Sequence, residues 1–272
     1  MCLVNGEGNW SLIAQAPALT GFDDMNFTER LRRNELLLGT MLTVPAPEIA
    51  EMVAKCGFDW LFMDGEHSPL STLEWQRMLQ AVAGRSASII RVAAKTEQDI
   101  KKLLDIGADG IIAPQVNSAD EARRIVEWCK YPPQGVRGVG LARAQGYGLD
   151  FASYVESAND DIAVIIQAEH IDAVNNIEEI AKVAGIDAVF IGPYDLSASM
   201  NKMGEVSDPE VVAAIDKVTR ACQQNNVALG YFGVNAESVQ PYVDQGYKLI
   251  CAGVDAGFVT QGAQEILQQL TP

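Results

Sequence analysis

The segment Met63-Asp64-Gly65-Glu66-His67-Ser68-Pro69 closes the apolar run Asp59-Trp60-Leu61-Phe62-Met63 with two carboxylates and one of only two histidines in 272 residues. A strand that empties into such a cluster reads as an active-site lip, because functional side chains collect on loops held by a rigid scaffold. His67, beside Asp64 and Glu66, is placed to act as a general base whose tautomer a carboxylate fixes. The alternative is a loop histidine that only bonds its own turn. Arg91 ends the apolar stretch Ser88-Ile89-Ile90, where an unpaired guanidinium is costly to bury. Its partner is a structural carboxylate, Asp64 or Glu66, or else a substrate carboxylate or developing enolate met by a planar two-pronged donor. The two roles are compatible.

Two more acids, Glu169 and Asp195, follow later apolar runs. At the ends of adjacent strands they would hold one hard cation through oxygen, with water or substrate oxygens completing an octahedron. That donor set suits Mg²⁺ or Mn²⁺ better than Zn²⁺. The alternative is that each caps a helix, Glu169 the one that follows and Asp195 its own. Ile191-Gly192-Pro193-Tyr194-Asp195-Leu196-Ser197 turns from strand to helix, and amides there suit a carboxylate or phosphate. His170 follows Glu169 directly and reads as structural, facing the first turn of a helix. Neither a Walker sequence nor a dinucleotide fingerprint is present, and no candidate strand end presents a lysine for Schiff-base chemistry.

The elements that must position these residues follow one pattern. Candidate strands cover 36–42, 59–63, 87–92, 109–113, 162–168, 187–191, 227–232 and 248–252, alternating with helical patterns such as 47–55, 96–106, 119–130 and 209–225. Eight βα units predict a closed (β/α)8 barrel of the TIM type. Gly57, Gly107, Gly185 and Gly246 each follow a periodic segment, as left-handed helix caps do. In this fold chemistry sits at the C-terminal ends of the strands, where Asp64, Glu66, His67, Arg91, Pro114, Gln115, Gln167, Glu169 and the 192–195 turn would line one side of a mouth. Residues 1–26 read as a loosely structured lead-in and 27–272 as a single barrel domain. The long strandless connection 131–160, with Arg137 among glycines, would suit a lid over an anionic ligand.

A formal charge of -16 disfavours nucleic acid or an anionic membrane as partner. No run reaches the ~20 apolar residues that a membrane helix needs. Five scattered cysteines show no metal or redox spacing, and the first apolar residues have no basic flank. Both point to the cytoplasm.

Taken together, Asp64-Gly65-Glu66-His67-Ser68-Pro69, Gly110-Ile111-Ile112-Ala113-Pro114, Tyr131-Pro132-Pro133 with Arg137-Gly138, Gln167-Ala168-Glu169 and Gly192-Pro193-Tyr194-Asp195-Leu196-Ser197 resemble the metal-dependent class II pyruvate aldolases of the HpcH/HpaI family. The likeness runs in order from about residue 38 to the C-terminus. It implies a modified barrel that assembles as a homo-oligomer, a hexamer built as a trimer of dimers, with the last helix exchanged between neighbours. It also implies that Glu169 and Asp195 bind the divalent metal, Mg²⁺ or Mn²⁺ with Co²⁺ as a further candidate, and that Gln167 supports the pyruvyl end. Arg91 would stabilise the enolate, His67 oriented by Asp64 would move the proton through water, and the backbone around Gly192, Pro193 and Tyr194 would hold the carboxylate. The chain departs from the usual family pattern at His170, at Gln115 and over 141–148.

The implied activity is reversible cleavage of a 4-hydroxy-2-oxo acid, a 2-keto-3-deoxy sugar acid or a related dicarboxylate, to pyruvate and an aldehyde. Citrate-type condensation of another 2-oxo acid is one alternative. A barrel that binds a keto acid without turnover is another.

Overall fold

The computed structural model describes residues 25–271, so nearly all of the 1–26 lead-in lies outside the described residues. Eight strands, β1 Leu37–Leu42, β2 Trp60–Asp64, β3 Ala87–Arg91, β4 Gly110–Ala113, β5 Ala163–Ala168, β6 Ala188–Ile191, β7 Ala228–Gly233 and β8 Leu249–Val254, pair in parallel in sequence order, and β8 returns to β1. The expected (β/α)8 barrel is the fold observed, with strand ends displaced by one or two residues. Strands covered on both faces need no polar side, which is why all five residues of β2 are buried. Alternate residues still choose different layers. Trp60, Phe62, Ile89, Ile112, Ile165 and Phe190 fill the barrel interior, while Leu61, Met63, Ile90, Ile111, Val164 and Ile166 pack outward against the helices. The four glycines read as helix caps all lie at φ between +89° and +93°.

The barrel's lower end is closed by α1 (Phe27–Arg32), which stops just before Asn34 turns left-handed at φ 62°. Its Phe27 and Leu31 join the interior cluster. Its arginines meet acids that precede strands: Arg30 lies 2.9 Å from Asp59 and Arg32 2.8 Å from Asp187. These acids belong to a repeated device. Asp59 accepts the Leu38 N–H at 2.9 Å, Asp109 the Ser88 N–H at 2.7 Å, and Asp187 the Val164 N–H at 2.8 Å. Each carboxylate thus reaches back one strand and satisfies an amide at the barrel rim.

The helices between strands set which loops reach which end. α2 (Pro47–Ala54), α3 (Thr72–Val82), α4 (Glu97–Asp105) and α5 (Ala119–Cys129) follow β1 to β4. After α5 come a 3-10 segment, Arg143–Gly148, and α6 (Phe151–Asp161), which sequence periodicity did not reveal. A connection that leaves a helix and enters a strand lies at the N-terminal end of the barrel, so the 131–150 stretch is no lid over this barrel's own mouth. Arg137 confirms the correction. It is buried against Tyr131, with ring centroid 4.5 Å away, and pairs with Asp105 at 2.9 Å. Arg143 donates to the Ile106 carbonyl at 2.8 Å, just before β4.

The barrel is completed by α7 (Ile171–Asn175), α8 (Ile177–Ile180), α9 (Pro193–Ser199), α10 (Pro209–Gln224), α11 (Ala236–Asp244) and α12 (Asp255–Leu270). The last helix is tied at its root, where the Asp255 carboxylate accepts the Thr43 and Val44 amides. Beyond that root its Phe258, Val259, Ile266, Leu267 and Leu270 are exposed, and so are Leu36 and Leu38 at the β1 edge of the barrel wall. No helix among the described residues is long and apolar enough to cross a membrane.

Removing a clamp should cost stability. Asp187→Ala leaves the buried Val164 N–H unpaired and releases Arg32, a loss of about 2 kcal/mol or more. Urea unfolding should show a lower midpoint at unchanged slope, and Asp187→Asn, which keeps an acceptor oxygen, should lose less.

Candidate active site

Asp64 and Arg91 are the last residues of β2 and β3 and stand opposite each other in the register of the pair. Arg91 Nε donates to Asp64 Oδ1 at 2.8 Å, and Nη1 lies 3.1 Å from Glu66 Oε2. Both predicted structural partners are therefore engaged at once. The guanidinium, with 6% of its side chain exposed, rests 5.2 Å over the Phe62 ring. Asp64 Oδ1 also accepts the backbone amides of Glu66 at 3.0 Å and His67 at 3.3 Å. Burial pushes the Asp64 carboxyl upward, but Arg91 and the two amides outweigh it and hold the group below the ordinary carboxylate value.

The expected Asp64–His67 pairing is different in the structure. Asp64 fixes the His67 backbone, whereas the imidazole Nε2 lies 3.7 Å from Glu66 Oε2 with 66% of the side chain exposed. The amide bonds to Asp64 Oδ1 turn the loop so that Glu66 becomes the neighbour of both Arg91 and the ring. Glu66 thus carries more of the site than its sequence position suggested.

Across the mouth, Glu169 follows β5 and is buried. Its Oε1 accepts the Gln115 amide at 2.8 Å, while Oε2 is buried with no hydrogen-bond partner. Gln167, in β5, has an equally unpartnered Oε1. Neither acid caps a helix: the N-cap of α7 is His170, whose Nδ1 accepts the Asp172 amide at 3.1 Å, and that of α9 is Gly192. His170 has the structural place expected of it. Burial raises the Glu169 pKa to about 7; the Gln115 amide opposes this and the charge of Asp195, in the first turn of α9, adds to it. Gly192 leaves the space these groups need, since a Cβ there would stand 2.6 Å from Glu169 Oε2 and 2.9 Å from Gln167 Nε2.

A cavity of about 190 Å³ opens among Asp64, His67, Arg91, Gln167, Gly192, Pro193, Tyr194 and Asp195. Eight of the predicted site residues thus line one space, with Glu169 at its edge beside Gly192. Sequence reading missed the apolar part of the lining, Met41, Phe62, Phe190 and Phe232, which alternation along each strand could have supplied. It also missed Lys95, in the loop after β3, which donates to the Gln115 carbonyl and lies 3.2 Å from Glu121.

The donor chemistry fits a divalent cation. A buried carboxylate oxygen without a partner, beside a second carboxylate, is a costly arrangement that a hard cation relieves. No three His, Cys, Asp or Glu side chains converge among the described residues, so the donor set would be these two carboxylates with water or substrate oxygens.

Glu169 should leave a mark on stability. An acid whose folded pKa, about 7, exceeds its ordinary 4.5 holds its proton longer when folded, so stability falls as pH rises from 4.5 through 7. Chelated protein should lose on the order of 3 kcal/mol over that window relative to Glu169→Gln, read from denaturant unfolding at each pH.

Barrel and mouth together define a (β/α)8 enzyme. The chain belongs to the HpcH/HpaI aldolase/citrate lyase family, whose profile matches residues 39–261. It is 37% identical over 243 residues to a hydroxypyruvate/pyruvate aldolase of Cupriavidus necator, covering 88% of this chain and 90% of that one. It is 39% identical over 232 residues to a 2-keto-3-deoxy-L-rhamnonate aldolase of Escherichia coli, covering 84% and 86%. The crystal structure of an HpcH/HpaI aldolase/citrate lyase family protein from Burkholderia cenocepacia superposes with a TM-score of 0.86 at 33% identity, covering 89% of this chain and 98% of that one.

Proposed function

We propose that this enzyme is a divalent-metal-dependent lyase that reversibly cleaves a 4-hydroxy-2-oxo acid to pyruvate and an aldehyde, with Glu169 and Asp195 holding the metal. The observation that carries this reading is the buried, unpartnered Oε2 of Glu169 beside Asp195, on the rim of a cavity that also contains Arg91 and His67. A divalent ion such as Mg²⁺ or Mn²⁺, or Co²⁺, would supply Lewis acidity toward the 2-oxo group there.

The residues of the chain divide the remaining work. Pro193 has no N–H, so the free amides of Tyr194 and Asp195 at the start of α9 meet the substrate carboxylate, with Gln167 supporting the same end. His67, through a water, takes the proton from the C4 hydroxyl, and Glu66 offsets the charge of the imidazolium. As the C3–C4 bond breaks, its electron pair moves into the 2-oxo acid, and Arg91 offsets the enolate charge. Protonation at C3 yields pyruvate. In condensation the same groups run in reverse. The aromatic and methionine lining, Met41, Phe62, Phe190 and Phe232, keeps water from the carbanion-like carbon.

Pyruvate release from a panel of 4-hydroxy-2-oxo acids with Mg²⁺ or Mn²⁺ tests the reading. Activity should vanish with chelator and in Glu169→Gln. Arg91→Lys keeps a charge beside Asp64 but loses the fork, so kcat should fall about 10²-fold while the protein stays folded. Activity that survives chelation removes the metal from the scheme, and oxaloacetate release from citrate, assayed beside the panel, with no pyruvate from any panel member moves the assignment to citrate chemistry.

The same chain serves as a homo-oligomer in this reading, a hexamer arranged as a trimer of dimers, with α12 seated on a neighbouring barrel. The exposed apolar face of α12 and the uncovered Leu36 and Leu38 on the barrel wall support it, because a chain that leaves both faces bare has a complementary partner in its own copy. Light scattering should give a six-chain mass for the full chain and a smaller species for Phe258→Asp with Ile266→Asp. A cytoplasmic location fits the free thiols of Cys56, Cys129, Cys222 and Cys251.

A further inference from the structure

We propose that Lys95 is a positioning residue for Glu169, acting through the backbone of Gln115. This rests on the reading of Glu169 as the carboxylate that holds the metal.

Gln115 stands just past β4 at φ 54°, a left-handed conformation that a side chain other than glycine adopts only when surrounding bonds hold it. Its two peptide groups face opposite tasks. The amide preceding it donates to Glu169 Oε1 at 2.8 Å. Its own carbonyl, in the next peptide, accepts from the Lys95 ammonium, and the N–H of that peptide, on Val116, donates to the Gln167 carbonyl at 3.3 Å. Lys95 therefore pulls on one end of a peptide whose other end is stitched to β5. That tension keeps Gln115 left-handed and aims its amide at Glu169.

A second bond fixes the lysine. Its ammonium lies 3.2 Å from Glu121 Oε1, and Glu121 Oε2 accepts the Asn117 amide at 2.8 Å. The loop 115–117 is thus held from both sides, at the Gln115 carbonyl and at the Asn117 amide, by a single Lys95–Glu121 pair. Lys95 is absent from the cavity lining, so its effect reaches the site only through the peptide. With Oε1 occupied by the Gln115 amide, Oε2 is left as the oxygen that faces Gly192 and carries no partner. The choice of which oxygen is free, and where it points, follows from the clamp.

Mn²⁺ binding to the full-length protein without substrate, followed by the loss of the free-ion electron paramagnetic resonance signal, tests this. Lys95→Met should weaken Mn²⁺ affinity about 10-fold or more, the range for residues that orient a metal ligand. The thermal midpoint of the metal-free protein should stay in place, since a half-exposed ion pair adds little stability. Lys95→Arg, which can still donate to the Gln115 carbonyl, should recover most of the affinity. In a Glu169→Gln background Lys95→Met should cause no further loss. Unchanged affinity in Lys95→Met, or a loss that Lys95→Arg fails to rescue and that follows a fall in thermal midpoint, overturns the positioning role. Unchanged Mn²⁺ affinity in Glu169→Gln overturns the metal reading itself, whatever Lys95→Met does.

Discussion

The Arg91–Asp64 pair marks the plane where a sealed barrel becomes an open mouth. Beneath it Phe190 packs edge to face against Phe62 and Trp60, with ring centroids 5.6 and 6.1 Å apart. Above it the cavity opens among Asp64, His67, Tyr194 and Asp195, with Met41 and Phe232 in its lining. A guanidinium buried to this degree without a partner would be strongly destabilising, and one placed over an aromatic face beside a carboxylate is not. The parallel register of β2 and β3 puts the two residues side by side, so the pair forms without rearrangement. Once formed, it dictates the rest of the lip, because Asp64 then has one oxygen shared among Arg91 and the amides of Glu66 and His67.

Charge balance extends that constraint across the mouth. Asp64, Glu66, Glu169 and Asp195 face a single guanidinium, and Asp64 and Glu66 already use it. Glu169 is left to burial and to the repulsion of Asp195, which is why its pKa climbs to about 7 while that of Asp64 falls. Two carboxylates a few strands apart thus hold opposite protonation tendencies, because Arg91 bonds Asp64 directly and reaches Glu169 only through its charge. A divalent ion at Glu169 would restore the balance that Arg91 supplies to Asp64.

Much of this was legible in the chain. Eight apolar runs alternating with helical periodicity, four of the periodic segments closed by a glycine, left one plausible topology, and topology alone carried the strand-end residues to a common mouth. Partner choice was not legible. Whether His67 turns to Asp64 or Glu66 depends on how the loop amides close on Asp64, which no spacing encodes. Lys95 escaped notice because it sits four residues past Arg91 in a loop and works through a backbone carbonyl, a contact with no side-chain signature. The 131–150 stretch was misplaced for a different reason: its glycines and arginines suggested an anion lid, although its position after a helix and before a strand already assigned it to the other end.

That division between the two ends explains why one residue type serves two purposes in this barrel. All eight strands run the same way, so every N-terminal end lies on one rim and every C-terminal end on the other. An aspartate at the lower rim finds a donor in the backbone, as Asp59, Asp109 and Asp187 do with Leu38, Ser88 and Val164. The acids of the upper rim take a side-chain cation or the amides of the loops instead. Asp64 found Arg91 and two loop amides; Glu169 found one loop amide and kept an oxygen free. The same carboxylate chemistry is therefore structural wherever backbone amides fill it, at the lower rim and at Asp255 above, and open to a ligand where an oxygen is left free, at Glu169.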